Sequence, residues 1–387
     1  MKRGLTGRFE TSAAGGEAVR AFVPQPLPPK PGLAVGHELQ ILLERAVLAL
    51  GRLDSLSTLL PDADLLLYMY VRKEAVLSSQ IEGTQSSLSD LLLFELDELP
   101  GVPLDDVVEV SSYVAALEHG IDRMRSGFPL CTRLLREVHG VLLARGRGSE
   151  RDRGQLRRSQ NWIGGSRPGD AHFVPPPPHL VHECMSDLER FLHEGRSQMP
   201  ALLLAGLAHV QFETVHPFLD GNGRVGRLLV TLMLIDTEVM RSPLLYLSLY
   251  LKEHREEYYR RLDAVRTDGE WEAWLGFFLT GVRETADEAV TTARRLVDLF
   301  QGDRERVQGT GRAAGSALRV HRALTERPIL SIGEAARRTG LSFPAASSGM
   351  SLLEHHGLVR ELTGRRRSRL YGYEGYLEIL REGTEPE

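Results

Sequence analysis

An all-α core with one short β-hairpin, followed by a smaller unit of mixed helix and strand, is the fold class that three observations predict. Apolar residues recur every three or four positions through most of the first 300 residues, the period that lines one face of a helix. Convincing strand alternation is scarce there, with one exception at residues 162–174. Beyond a Gly-rich break at residues 309–317 the composition turns basic, and helical and alternating segments mix.

Taken in order, the stretch to about Pro31 clusters prolines in AFVPQPLPPKPG, which remove backbone donors and clash with helical neighbours, so an extended arm is expected. Leu39, Leu42, Leu43, Ala46, Leu50 and Leu53 then predict a helix, and Leu65, Leu66, Met69 and Val76 predict another over 62–79. The same spacing gives helices over 105–126, 130–143, 180–194, 201–214, 224–236, 252–266 and 270–300. NWIGG and AHFVPPPP flank the turn signal GSRPGD, the pattern of a short hairpin. No internal repeat is visible, which argues against a solenoid. In the last unit Ser331 can cap a helix GEAARRT, Gly340-Leu341-Ser342 makes a tight turn, and residues 343–356 form a second helix. Alternation around TGRRRSR reads as a two-stranded wing, and helix-turn-helix-wing is the order of a winged helix.

At 387 residues with 42% hydrophobic content the chain is long enough for two or three units and a substantial core. A net charge of -5 and a pI near 6.3 argue against a whole-chain nucleic-acid or membrane binder. The balance is uneven, because residues 312–373 hold 11 Arg against 4 Glu, a local +7 that leaves -12 for the remainder. Two cysteines, Cys131 and Cys184, exclude a disulfide framework and a four-cysteine metal site and suit a reducing compartment. The N-terminus has no apolar leader-like run and no segment approaches membrane-spanning length, so a cytoplasmic location and no membrane partner are expected.

Residues 216–227 read HPFLDGNGRVGR and sit between two apolar helical segments, which pins them as a loop in the core. The unpaired amides of Asn222, Gly223 and Arg224 at a helix start form an anion cradle, with glycines permitting close approach. Arg224 and Arg227 are three apart and share a face, so both can point at one triphosphate. Asp220 can hold a hard divalent ion against phosphate oxygens. His216, with an ordinary pKa near neutrality, can accept a proton from an attacking hydroxyl. Together these are the requirements of phosphoryl chemistry on a nucleotide.

HPFLDGNGRVGR matches every specified position of the Fic motif HxFx(D/E)GNGRxxR, and the chain resembles that family over about residues 10–380. Most Fic proteins transfer AMP from ATP onto a hydroxyl side chain of a target protein. The resemblance implies that His216 is the general base, Phe218 the loop's core anchor and Asp220 the magnesium ligand. It implies an ATP cradle of Gly221, Asn222, Gly223, Arg224, Val225, Gly226 and Arg227, with Arg224 on the diphosphate and Arg227 on the γ-phosphate. The hairpin resembles the family's flap, which would hold a target segment by backbone pairing with Phe173 and Val174 as anchors. Tyr259, before Tyr258, is the candidate adenosine contact. Upstream, Ser78-Ser79-Gln80-Ile81-Glu82-Gly83 fits the family's inhibitory motif (S/T)xxxE(G/N). Ser78 and Glu82 share a helix face and Gly83 ends the helix. A carboxylate at Glu82 would then compete with the γ-phosphate for the Arg227 guanidinium.

The expected organisation is an N-terminal arm and inhibitory segment over 1–104, a catalytic core over 105–308 and a winged helix-turn-helix unit over 309–387. The expected activity is ATP- and Mg2+-dependent protein adenylylation of Ser, Thr or Tyr, itself included. Two other readings stay open: hydrolysis of AMP from a target with Glu82 positioning water, and a transcriptional regulator whose core only senses a nucleotide. Arg365, Arg366, Arg367 and Arg369 at the wing tip favour phosphate contact, whereas FPAASSGMSLLEHHG has no Arg or Lys for base reading. Nucleic-acid contact therefore stands beside a dimerisation or target-docking role. The arginines between Arg145 and Arg158 read as scaffold around the nucleotide or target entrance.

Overall fold

Apolar periodicity carries through to the computed structural model, which describes residues 1–14, 16–59, 63–96, 104–146, 152–311, 314–365 and 368–385. A hairpin of β1 (Gly7–Ala14) and β2 (Glu17–Pro24) leads into α1 (His37–Leu59), α2 (Ala63–Ile81), α3 (Leu88–Phe94), α4 (Leu104–Arg125) and α5 (Thr132–Leu142). The helical body continues with α6 (Val181–Gly195), α7 (Ala201–Val215), α8 (Asn222–Asp236), α9 (Ser248–Glu253), α10 (Arg255–Asp268) and the long α11 (Trp271–Gln308). The last unit runs α12 (Ala314–Glu326), β3 (Ile329–Ser331), α13 (Ile332–Thr339), α14 (Phe343–His355), β4 (Val359–Glu361), β5 (Leu370–Tyr373) and α15 (Glu374–Arg381). Its sheet is antiparallel in the order β3-β5-β4.

The helix that positions the site, α7, is buried on every side from Leu202 to Val215, as expected of a helix apolar all round. It packs against α6, α8 and α11. Trp274 of α11 is fully buried and donates its indole N–H to the Gly206 carbonyl at 2.8 Å. A β-carbon on Gly206 would stand 2.8 Å from Leu275, so glycine is what lets α7 and α11 approach. The second key helix, α2, packs on α4 and α9 and ends at Gly83, whose φ of 97° turns the chain away.

Several expectations change. The arm to Pro31 is in part a β-hairpin: Val19, Ala21, Phe22 and Val23 of β2 are buried, and the proline cluster begins only at Pro24, leaving just the later residues irregular. The helix expected over 252–266 breaks at His254, which separates α9 from α10. Helix α3 went unread; Ser87 and Asp90 close a capping box at its start. Helix α11 runs past residue 300 to Gln308, and α12 already begins at Ala314, so the Gly-rich break is narrower than 309–317. The hairpin over 162–174 is held by a single antiparallel bridge between Ile163 and Phe173, with a 3-10 turn at Pro168–Asp170. Ser331 caps α13 through the Glu334 amide as expected. Arg365 and Arg369 are exposed; Arg366 and Arg367, like Arg147 and Arg151 of the other arginine cluster, lie outside the described residues.

Candidate active site

Helix α7 stops at Val215, and His216 follows at φ 48° and ψ 61°. A left-handed residue bearing a β-carbon costs roughly 1–2 kcal/mol, and the surrounding anchors hold it there. Arg157, 2% exposed, donates to the carbonyls of His216 (2.9 Å), Val215 (3.3 Å) and Pro176 (2.5 Å), while its own amide donates to Pro217. A guanidinium at the carboxyl end of a helix also meets the negative pole of the helix dipole. Burial pushes Arg157 down to about 10, still cationic at neutral pH.

Inside the loop, Phe218 is fully buried and lies flat on the His139 ring, centroids 3.8 Å apart. The Asn222 side chain brackets Phe218: Oδ1 accepts from its amide and Nδ2 donates to its carbonyl, both at 2.8 Å. Asn161 donates to the same carbonyl at 3.0 Å. The Gly154 amide donates to His139 Nδ1, so Nε2 carries the proton and donates to the Asp220 carbonyl at 3.1 Å. Burial, which pushes His139 down to about 4, agrees with that neutral tautomer.

Gly221 (φ 73°) opens α8, and the amides of Asn222, Gly223 and Arg224 lack intrahelical acceptors by helix geometry. Val225 does not join them: its amide is bonded to the Gly221 carbonyl and its side chain is in the core. Gly226 faces Glu213 rather than the loop mouth, since a β-carbon there would stand 2.2 Å from Glu213 Oε1. Asp220 keeps 31% of its side chain exposed beside the cradle, 3.9 Å from Arg224, which also pairs with Glu109 at 3.3 Å. Among the described residues no three His, Cys, Asp or Glu side chains converge as a metal cage. A hard cation held by one carboxylate and phosphate oxygens needs no such cage, and Asp220 fits that donor set.

The two distant motifs meet at Arg227. Its Nε donates to Ser78 Oγ at 2.8 Å, and its Nη2 donates to the Ser78 carbonyl at 2.9 Å and to Glu82 Oε1 at 2.7 Å. A β-carbon on Gly223 would stand 2.1 Å from the same Glu82 oxygen. The carboxylate therefore rests on the helix start as well as on the guanidinium, where an anionic ligand would lie. Burial opposes ionisation of Glu82, but the charge and hydrogen bond of Arg227, with Arg224 and His216 nearby, hold it below the usual carboxylate range. Arg227 is desolvated too, and Glu82 more than offsets this and raises it.

The His216 side chain keeps 18% exposure. Burial, then Arg157 and Arg266, push its imidazole down to about 3, against an opposing pull from Glu82. The ring is therefore neutral near pH 7. Of the two tyrosines, Tyr258 is buried and bonded to His209 Nε2 at 2.9 Å, whereas Tyr259 is 39% exposed and lies in the field of Glu82 and Arg227. Phe173 exchanges both backbone bonds with Ile163, and its ring is capped by the Arg266 guanidinium at 3.9 Å. The Val174 carbonyl accepts from the Phe22 amide of β2 at 2.8 Å, so the chain's own N-terminal hairpin already pairs with this segment there.

Sequence reasoning placed Arg157 only within a cluster read as scaffold and missed three further contributors. Asn161 and His139 shape the loop together with Arg157. The last is a junction behind the turn at Glu82. Lys252 Nζ donates to Gln80 Oε1 (2.8 Å) and to the Glu385 carbonyl (2.6 Å), and Gln80 Nε2 donates to the Thr384 carbonyl (2.8 Å). The segment after α15 thus grips the turn that carries Glu82.

This helical body with a phosphate-type loop between α7 and α8 defines a Fic-type protein. The Fic/DOC family N-terminal model matches residues 41–122 and the Fic/DOC family model residues 129–234. Residues 41–122 and 129–234 thus carry the two parts of the Fic/DOC signature. It is 28% identical over 253 residues to a Culex quinquefasciatus protein named protein adenylyltransferase Fic, covering 62% of this chain and 47% of that protein. Its match to the Drosophila ananassae protein of the same name is 33% over 136 residues, 35% of this chain and 24% of the other. The chain thus spans about half or less of the length of these curated relatives. Among solved structures, a Fic family protein from Desulfovibrio desulfuricans G20 superposes with a TM-score of 0.58 at 21% identity, over 88% of this chain and 97% of that one. Fic-1 (aa134–508) from C. elegans does so at 0.50 and 21%, over 65% and 72%. Among the described residues no helix is long and apolar enough to cross a membrane.

Proposed function

We propose that the chain is an autoinhibited protein adenylyltransferase, which moves AMP from ATP to a Ser, Thr or Tyr hydroxyl of a target protein and of itself. The observation that carries this reading is the meeting of Glu82 with Arg227 over the start of α8, beside His216. ATP phosphates lie on the amides of Asn222, Gly223 and Arg224, with Arg224 on the diphosphate and Arg227 on the γ-phosphate. Asp220 would hold magnesium, which when bound neutralises phosphate charge as pyrophosphate develops. His216 takes the target hydroxyl proton, the hydroxyl oxygen bonds to the α-phosphorus, and the bond to the β-phosphate oxygen breaks to release pyrophosphate. With Glu82 on Arg227, the γ-phosphate loses its anchor and the α-phosphate its in-line position.

Tyr259 is the reading's adenosine contact, and the flap around Phe173 and Val174 its target dock. The helix-strand-helix-helix-strand-strand order of the last unit supports a winged helix, with exposed Arg365 and Arg369 as a nucleic-acid contact or a homodimer face. A cytoplasmic site of action suits the two buried free cysteines. Incubation with α-labelled ATP and magnesium tests the activity: label should enter protein in the wild type and not in His216→Ala. Equal labelling of the two would overturn the assignment.

A further inference from the structure

We propose that Glu213 is a positioning residue for His216, the buried carboxylate that orients the imidazole and stabilises it once it has taken the substrate proton. The inference rests on the adenylyl-transfer reading and adds a residue to its machinery. Glu213 is in the last turn of α7, three residues before His216, and the left-handed turn at His216 brings the ring back over that helix end. Glu213 Oε2 lies 3.9 Å from His216 Nδ1. Among the described residues neither His216 Nδ1 nor the buried Glu213 Oε1 has a hydrogen-bond partner, although the Glu213 carbonyl also faces the ring. The carboxylate and imidazole stand about one ångström beyond hydrogen-bond distance, and catalytic bonds are commonly long before substrate is bound.

The pocket that holds the carboxylate depends on Gly226, because any side chain there would collide with Glu213 Oε1. Glu213 is 6% exposed. A buried acid without an ion-pair partner costs stability, and an apolar residue of like volume would serve a structural role better. What needs it is the imidazolium. Two cations, Arg157 and Arg266, disfavour a proton on His216, and of the carboxylates nearby Glu82 must leave when the γ-phosphate takes Arg227. Glu213 stays. The groups facing it are Arg227 from α8, Glu82 from the turn after α2, Arg266 and Tyr258 from α10, and His216 itself. Burial raises its carboxyl to about 7, Arg227 and Arg266 opposing and Glu82 adding, so it ionises within the working pH range.

During transfer the hydroxyl proton passes to one imidazole nitrogen as the hydroxyl oxygen bonds to the α-phosphorus and pyrophosphate leaves, while Nδ1–H donates to the Glu213 carboxylate and keeps its proton. The test uses the full chain carrying Glu82→Gly. Adding Glu213→Gln should lower kcat about tenfold or more, leave the KM for ATP within about twofold, and move the acidic limb of kcat to lower pH. Glu213→Asp should retain that limb. In parallel, NMR titration of the His216 ring should show a lower pKa in Glu213→Gln. Unchanged kcat and pH limb, or a loss that tracks the KM for ATP, overturns the proposal. If the Glu82→Gly protein transfers no AMP, the activity reading fails and the ring titration alone decides: a lowered pKa upholds the Glu213–His216 link, an unchanged one refutes it.

Discussion

Arg227 and Glu82, 145 residues apart in sequence, form an ion pair at 2.7 Å in which the guanidinium is also fastened to Ser78 by two hydrogen bonds. The arginine is 4% exposed, whereas the Glu82 side chain keeps 35% of its surface. Glu82 is thus the more exposed partner. Under the proposed autoinhibition a triphosphate would displace Glu82 while Arg227 keeps its bonds to Ser78.

His216→Ala should reduce AMP transfer by about 10²–10⁴-fold while ATP affinity stays nearly intact, because the base acts in the transition state and the cradle lies on α8. Isothermal titration with ATP alongside label incorporation separates the two effects. A parallel loss of binding would mean that His216 shapes the loop rather than the chemistry.

Arg157→Lys should destabilise the fold by about 2–4 kcal/mol and slow transfer, since one ammonium cannot satisfy three buried carbonyls. Denaturant unfolding of both proteins measures it. A change below about 0.5 kcal/mol would show that the left-handed turn at His216 holds without this anchor.

Lys252→Met should raise basal transfer, though less than loss of Glu82, because the Gln80 side chain and the Glu385 carbonyl lose their common cation. In a Glu82→Gly background the same change should do nothing further, as expected of residues acting through one contact. Added activation in that background would separate the junction from the inhibitory turn.

Glu74 should contribute stability that falls as pH rises from about 5 to about 7.5, opposite in sign to the contribution of the buried His139, His209 and His216, whose values burial lowers. Burial raises Glu74 to about 7, above the ordinary carboxyl value of 4.5, so between these values the folded state holds a proton that the unfolded state has released. Stability from such a group is complete below its unfolded pKa and lost as pH climbs through its folded one, by at most about 1.4 kcal/mol per pH unit. In thermal melts taken across that range, the stability of Glu74→Gln relative to wild type should therefore rise with pH, and a difference that does not change with pH would contradict the assignment. The three bonds that Glu74 accepts from Ser248 and Tyr113 would persist in part, so the variant should still fold.

Much of this was legible in the sequence because helices report themselves through period. The two apolar segments around HPFLDGNGRVGR became α7 and α8, and Ser78, Glu82 and Gly83 arrived on one helix end as their spacing required. What stayed hidden were partners distant in sequence. Nothing in the spacing of Arg157 shows that it will hold the carbonyls of His216, Val215 and Pro176, and nothing in Lys252 points to Gln80 and Glu385. The β1–β2 hairpin was masked by the prolines that follow it, whose local rules dominate any reading of that stretch. Gly223 and Gly226 were read as close-approach residues for phosphate; each in fact also makes room for a carboxylate, Glu82 and Glu213 respectively.

The most direct test of autoinhibition is the initial rate of AMP incorporation from α-labelled ATP, into the protein itself and into added protein substrates, for wild type, Glu82→Gly, Arg227→Ala and the double variant. Glu82→Gly should be faster than wild type by tenfold or more, a difference of about 1.4 kcal/mol in the barrier. Arg227→Ala should be slower, and adding it to Glu82→Gly should cancel the activation, because inhibitor and γ-phosphate share one guanidinium. A Glu82→Gly protein no faster than wild type with every substrate, itself included, would contradict the assignment of residues 78–83 as the inhibitor.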